Sequence, residues 1–202
     1  MKENEKILVV ARDVIFKNGL WQGIKTDNLD YYLDLIKNNY QFRKRGEVEN
    51  DPSWQQIIPY ILFSYKNKFF LYQYLEKAGE QRLINSYQLG VGGHINLIDI
   101  RENEDFLEAA AMREWREEVD YKGELLEKKL VGILNDDTRP VEKVHLGLIY
   151  HFAGDGPEIS VREKSVIKGE LVNLSNLGQY VKNIQGWPPI VYREYLSKLK
   201  IV

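Results

Sequence analysis

The 202-residue chain contains no cysteine. This absence excludes disulfides, thiolate metal ligands and cysteine nucleophiles, and it is in keeping with a reducing compartment. The chain also lacks a marked excess of either charge, because its formal net charge is only -2. A balance this close to neutral produces no strong field that would attract nucleic acid or an anionic membrane surface. We therefore expect neither nucleic acid nor a membrane among its partners.

A long hydrophobic run is also missing near the N-terminus. The apolar stretch that begins at Ile7 is interrupted by Arg12 and Asp13 after five residues. It is too short for a signal peptide or a membrane span, so we expect a cytoplasmic protein. Because symmetric dimers are the commonest soluble assemblies, we also expect a homodimer.

The composition is that of a globular domain with one sizeable core, with 44% hydrophobic and 29% charged residues. The length suits one domain with an embellishment. We expect an N-terminal extension of one strand and one helix over residues 1–50, followed by the main domain over residues 51–202.

Hydrophobic periodicity and turn signals predict an alternation of strands and helices. Residues 41–54 are polar and predict a loop. Lys66-Asn67 predicts a hairpin turn. The predicted strands cover residues 7–16, 56–65, 68–75, 87–89, 129–134 and 143–152. The predicted helices cover residues 28–38, 105–119, 177–184 and 190–199. This alternation indicates an α/β/α sandwich with a mixed β-sheet.

The helix predicted over residues 105–119 carries a cluster of carboxylates near its end. Glu114, Glu117 and Glu118 are three and four positions apart, so their side chains are neighbours on one side of the helix. Like charges at this spacing repel each other, and the cluster favours either open solvent or a cation. Mg2+ takes oxygen ligands from a few carboxylates and leaves positions for water and phosphate oxygens. The pattern therefore indicates either a solvated helix face or a metal-phosphate site.

The sequence around this helix resembles the Nudix hydrolases, whose motif is G-x5-E-x7-R-E-U-x-E-E-x-G-U, where U is bulky and apolar. The core R-E-U-x-E-E is matched over residues 113–118, which read REWREE. Upstream stands the pair Gly92-Gly93. Two departures are visible: eleven residues separate Gly93 from Asp105, and Asp120 stands where the family has glycine. The first implies an enlarged loop, and the second implies that the helix-terminating turn is displaced toward Gly123.

The resemblance implies a Nudix-like α/β/α fold and the metal-dependent hydrolysis of a diphosphate linkage in a nucleoside diphosphate joined to another group. Mg2+, or alternatively Mn2+, would be the cofactor and a small nucleotide-type diphosphate the substrate. The implied metal ligands are Glu114, Glu117, Glu118 and the backbone of Gly93. The implied catalytic residues are these three glutamates, Arg113 as the residue that orients them, and Glu163 as a candidate base, with Glu170 as the second choice. The residues expected at the substrate are Gly92, Gly93 and His94.

Several alternatives stay open on the sequence alone. His94 is as well explained by a loop histidine bonded to backbone, and a non-catalytic nucleotide-binding or regulatory module on the same fold is the second hypothesis. Diphosphate isomerases of related fold are expected to use a cysteine, which this chain lacks. Asp105 is expected to cap the helix and to pair with Arg113. His145 and His151 lie on one face of a predicted strand and are candidates for a site shared with His94.

Overall fold

The computed structural model describes residues 2–74, 87–101, 105–162 and 167–199. The fold is α/β with a mixed sheet, as predicted. The strands are β1 Lys6–Ala11, β2 Gly23–Lys25, β3 Gln41–Lys44, β4 Trp54–Tyr65, β5 Lys68–Tyr74, β6 Tyr87–Gln88, β7 Gly90–Gly92, β8 Val119–Tyr121, β9 Leu125–Asn135, β10 His145–Gly154, β11 Ile159–Val161 and β12 Ile167–Asn173.

The helices are α1 Arg12–Ile15, α2 Leu29–Asn39, α3 Arg45–Val48, α4 Phe106–Glu118, α5 Pro140–Lys143, α6 Leu174–Val181 and α7 Trp187–Glu194. Short 3-10 helices cover Lys2–Asn4, Leu97–Asp99 and Leu196–Lys198. Hydrogen bonds order six strands as β12-β5-β4-β10-β9-β2, to which β1, β3, β6 and β7 are also joined, and β11 pairs with β8. Across the four described ranges, no helix has the length and apolarity to cross a membrane.

The chain divides into two compact units. The first unit comprises Met1–Tyr60, Gly93–Arg113 and Val131–Ile149, and the second comprises Ile61–Gly92, Glu114–Leu130 and Tyr150–Val202. Each unit is therefore assembled from segments that are distant in sequence.

In the first unit, residues 41–54 correct the prediction of a loop. Gln41–Lys44 forms β3, which pairs antiparallel with β1, and α3 follows it. Val48 of α3 is buried in a cluster with Ile7 and Val9, against which Trp54 packs. The burial of Val48 and the packing of Trp54 override the polar character of the segment, since tertiary packing supplies most of the stability of short helices.

The first strand also ends earlier than predicted, at Ala11 rather than Phe16. Residues Arg12–Ile15 turn into α1, and the backbone N–H of Phe16 donates to the Arg12 carbonyl at 3.0 Å. Ile15 is buried, so the turn directs a β-branched side chain into the core. The prediction of one continuous strand is therefore wrong beyond Ala11.

The second unit contains the predicted hairpin, which is confirmed. β4 and β5 meet at the pair Tyr65↔Lys68, and Lys66 adopts a left-handed backbone with φ 53°. On the other edge of β5, β12 pairs antiparallel over its whole length. The C-terminal helices both begin three residues earlier than predicted, and α7 begins at Trp187 with its prolines in the first turn, where their missing N–H groups cost nothing.

A partly buried polar chain in the second unit connects β4, β10 and the residue that follows α7. The Nε2 atom of His151 lies 2.8 Å from the Ser64 hydroxyl, and its Nδ1 atom lies 2.7 Å from the Tyr195 hydroxyl. Burial lowers the pKa of His151. Burial, followed by the charge of Glu127, raises the pKa of Tyr195 to about 12. Both groups are consequently held neutral.

The lowered pKa of His151 predicts a loss of stability in mild acid. The unfolded chain binds a proton at His151 more readily than the folded chain, so the free energy of unfolding falls as the pH drops below the ordinary value of 6.5. His145, whose pKa burial also lowers, contributes with the same sign. Urea unfolding at pH 7.5 and 5.5 should show this drop.

In His151→Gln the drop should be smaller, since the contribution of His151 is lost and that of His145 remains. The substitution itself should cost about 1–2 kcal/mol at pH 7.5 through the disturbed hydrogen bonds. An equal drop in wild type and variant would contradict the assignment.

Candidate active site

Helix α4 begins at a side chain that the sequence analysis predicted as its cap. The Asp105 carboxylate accepts the N–H of Leu107 at 3.0 Å, which confirms the cap. Its other oxygen lies 2.8 Å from Lys37 Nζ. The predicted pair with Arg113 is wrong, because the two residues are eight positions apart, which is about 12 Å along the helix axis.

Arg113 instead binds the loop that precedes the helix. Its Nε and Nη2 atoms donate to the two oxygens of Asp99 at 2.8 and 3.0 Å. Nη2 also donates to the carbonyl of His94 at 2.9 Å. Asp99 is only 3% exposed, and its carboxylate accepts the N–H of Asn96 as well. The arginine of the motif thus fixes the backbone that follows Gly93.

Asp99 is the residue of this site that sequence reasoning missed. In the sequence it is an acidic residue of the enlarged loop, and no signal other than its place between the glycines and Arg113 distinguishes it from its neighbours. In the Leu97–Asp99 turn, the backbone N–H of Asn96 donates to the Asp99 carboxylate at 2.8 Å, and the backbone N–H of Asp99 donates to the Asn96 carbonyl at 3.0 Å.

His94 is oriented by a buried glutamine. The Gln56 side chain donates through its amide nitrogen to the Val48 carbonyl at 3.2 Å, so its oxygen accepts from His94 Nε2 at 2.7 Å. The rings of His94 and His145 lie 5.8 Å apart. His145 Nδ1 is 2.6 Å from the Val141 carbonyl. The structure therefore brings two of the three predicted histidines together, whereas His151 is bonded to Ser64 and Tyr195.

The glycines lie at the end of β7. Gly92 is its exposed last residue and belongs to the second unit, and Gly93 opens the next segment of the first unit. The carbonyl of Gly90 accepts the Tyr72 hydroxyl at 2.9 Å.

The last turns of α4 carry the three glutamates. Glu114 is buried at 7% exposure, and Glu117 and Glu118 are exposed. Between them Trp115 is buried, with its ring 5.3 Å from Phe63 and 5.7 Å from Phe152. Packing of this indole fixes the last turn of α4 in position. Glu117 and Glu118 lie on the exposed side of the same turn.

Arg162 closes the C-terminal end of α4. Its backbone N–H donates to the Glu118 carbonyl at 2.9 Å, and its Nε donates to the Arg116 carbonyl at 2.6 Å. A cation at this end also interacts favourably with the helix dipole. The helix ends at Glu118, and Asp120 continues directly into β8, paired with Ser160 of β11. The predicted displacement of the helix end toward Gly123 is therefore wrong.

The other candidate carboxylates are less informative. Glu163 lies outside the described residues. Glu170 is an exposed residue of β12, paired with Leu71 of β5.

The donor chemistry of the three glutamates fits Mg2+, which prefers carboxylate oxygens, keeps several waters and needs only one or two protein carboxylates. Within residues 2–74, 87–101, 105–162 and 167–199, no three acidic or histidine side chains form a group that would hold a metal ion. The fit is therefore one of ligand type and helical spacing.

The Arg113–Asp99 pair predicts a large loss of stability when its carboxylate is removed. Asp99→Asn removes the carboxylate that accepts both Nε and Nη2 of a guanidinium that is only 16% exposed, which should cost about 3 kcal/mol. Asp105→Asn is the matched control, since it breaks the more exposed pair with Lys37, keeps an oxygen for the cap, and should cost at most about 1 kcal/mol. Equal losses in urea unfolding would contradict a special role for Asp99.

The closure of α4 by Arg162 predicts a local effect. Arg162→Met keeps the backbone bond to Glu118 and removes the side-chain bond to Arg116. Amide hydrogen exchange in the last turn of α4 should rise severalfold, because one helix carbonyl loses its donor. Arg193→Met, on the exposed face of α7, is the control and should leave exchange in α4 unchanged.

Comparisons with known proteins bear on the fold and the family of the chain. No protein-family model matches the chain. The chain is 34% identical over 187 residues to Protein YmaB of Bacillus subtilis (strain 168), covering 88% of this chain and 90% of that protein. The crystal structure of Tm1382, a proposed Nudix hydrolase, aligns with a TM-score of 0.83 and 29% identity, covering 96% of this chain and all of Tm1382.

A more distant structure shares the fold alone. The Nudix domain of NrtR from Shewanella oneidensis, determined with ADP-ribose, aligns with a TM-score of 0.51 at 12% identity, over 71% of this chain and 84% of that domain. The motif, the fold and these likenesses lead to one assignment. The chain belongs to the Nudix family and is a Nudix-type hydrolase.

Proposed function

We propose that this protein hydrolyses a phosphoric anhydride bond in a nucleoside diphosphate that is linked to another group, with Mg2+ as its cofactor. The observation that carries the proposal is the Arg-Glu-Trp-Arg-Glu-Glu run of α4, in which Trp115 is buried and Glu117 and Glu118 are exposed. The ADP-ribose bound by the NrtR domain supports a nucleotide-type substrate.

In this proposal Glu114, Glu117, Glu118 and the backbone of Gly93 are the ligands of Mg2+. The bound ion would neutralise phosphate charge and would lower the pKa of a water molecule bound to it. Glu117 and Glu118 are exposed on a turn that is anchored by Trp115 and closed by Arg162. One glutamate of this set, or Glu163, takes the proton from the attacking water.

The loop residues have separate roles in this proposal. Arg113 positions the His94 backbone through its bond to the carbonyl, and Gly92, Gly93 and His94 contact the substrate. The bond from His94 Nε2 to the Gln56 oxygen places a proton on Nε2 and fixes the orientation of the ring.

A second function, a non-catalytic nucleotide-binding module, is favoured by one observation. In the part of the chain that the structure describes, the acidic side chains do not form a ready metal site. Such a module would bind nucleotides equally well with and without Mg2+, and it would release no phosphate.

We expect metal-dependent turnover that depends on the exposed glutamates. Glu117→Gln and Glu118→Gln should each lower kcat by at least about a hundredfold while the fold survives, which is the scale of general-base and charge-stabilisation effects. Glu108→Gln, at a variable position of the motif on the same helix, is the matched control and should retain activity.

The measurement is phosphate release after phosphatase coupling. The panel contains nucleoside triphosphates, ADP-ribose, dinucleoside polyphosphates and nucleotide sugars, each with Mg2+, Mn2+ or EDTA. Near-normal rates from both glutamate variants would overturn the assignment of these residues. If the wild-type protein binds nucleotide but releases no phosphate from any compound in the panel, the non-catalytic module is favoured.

A further inference from the structure

Two neighbouring cavities lie in the first unit, and neither is lined by a residue of the Nudix motif. The larger encloses about 630 Å3 and has an apolar lining formed mainly by Phe16, Leu20 and Trp54. The Arg12 guanidinium lies over the Phe16 ring at 4.7 Å. A cavity of this size and lining suits a flat aromatic group.

The smaller cavity encloses about 300 Å3 and has basic side chains within a partly apolar lining. Its lining includes Asn50, Arg139 and Lys143. Arg139 is paired with Glu142. Lys143 is exposed and, within the described residues, has no carboxylate partner. The cavity therefore presents one uncompensated ammonium group and an amide donor, which suits an anionic group.

The two cavities share a wall. Arg12, which lines the larger cavity, donates through Nη1 to the Lys143 carbonyl at 3.0 Å and is paired with Asp137 at 2.5 Å. Lys143 and Asp137 both line the smaller cavity. The consecutive residues Pro52 and Ser53 also line one cavity each. The pairing with Arg12 offsets the negative charge that Asp137 would otherwise present to an anion.

We propose that these cavities form a binding site for a nucleoside monophosphate. The base enters the apolar cavity beside Phe16 and Leu20, and the phosphate binds Lys143 in the basic cavity. The lining of the two cavities indicates a ligand that has both an aromatic ring and an anionic group. The choice of a nucleoside over another aromatic anion rests on the proposed function. The site is distinct in sequence from the glutamates of α4, and its occupation requires no metal.

The test measures binding of AMP, which has no phosphoric anhydride bond and so is not consumed, in the presence of EDTA. Ligand-observed NMR and calorimetry are applied to AMP, adenosine and ribose 5-phosphate. AMP should bind at least about tenfold more tightly than either fragment, since each fragment lacks one half of the contacts.

Two variants separate the two cavities. Lys143→Met should weaken AMP and ribose 5-phosphate about tenfold, the loss expected for one charged hydrogen bond, and leave adenosine unchanged. Leu20→Ala should weaken AMP and adenosine severalfold and leave ribose 5-phosphate unchanged. Lys6→Met, an exposed lysine of the same unit that lines neither cavity, is the control for net charge.

Each further outcome decides the proposal. Absence of AMP binding by the folded wild-type protein would overturn it, as would equal effects of Lys143→Met and Lys6→Met. Phenyl phosphate binding as tightly as AMP would overturn the assignment of a nucleoside. Because AMP binding is measured without metal, it is independent of the hydrolysis assay. If AMP does not bind but metal-dependent hydrolysis is observed, only this binding site is overturned. If AMP binds but no hydrolysis is observed, the binding site is retained and the proposed function is not.

Discussion

The ion pair between Arg113 and Asp99 is the interaction on which the candidate site depends most directly. A guanidinium this little exposed requires a partner, and the two-pronged geometry with Asp99 supplies both charge and direction. The same guanidinium also holds the His94 carbonyl. One side chain of α4 therefore fixes the segment that follows the glycines. The enlarged loop is compatible with this arrangement because Asp99, which lies in the loop, contacts Arg113 of the helix.

Helix α4 meets two requirements within one turn. It buries Trp115 among Phe63 and Phe152, and it exposes Glu117 and Glu118. Glu114 lies three and four positions before these two glutamates, and like charges at that spacing favour fraying. Arg162 offsets this by donating to the carbonyls of Arg116 and Glu118. The direct continuation into β8 adds a second restraint, because Asp120 is held in a strand. Glycine is consequently not needed at this position to end the helix.

The sequence predicted those parts of the fold whose signals are local. The hairpin at Lys66-Asn67, the cap at Asp105 and helix α4 depend on neighbouring residues and were found. The segment of β3 and α3 was missed because its structure depends on packing of Val48 against Ile7 and Val9, more than thirty residues away. The partner of Arg113 was misassigned for a related reason, since an acidic residue in a loop has no periodicity that reveals its burial. The motif identified the residues of the site, and the contacts that hold them came from the three-dimensional arrangement.

The pairing of the first strand with the loop after the glycines has a consequence for synthesis of the chain. The N–H of Leu8 donates to the Ile95 carbonyl at 2.9 Å, and Ile7 bridges to Asn96. The ribosome adds roughly 5–20 residues per second, so Leu8 waits several seconds or more for its partner to be made. During this interval the backbone edge of β1 is open, and its apolar residues, which are buried in the folded protein, are exposed. Such an edge is a template for association with other chains. A chaperone that covers the nascent first strand would therefore raise the yield of folded protein more than one that acts on the completed chain.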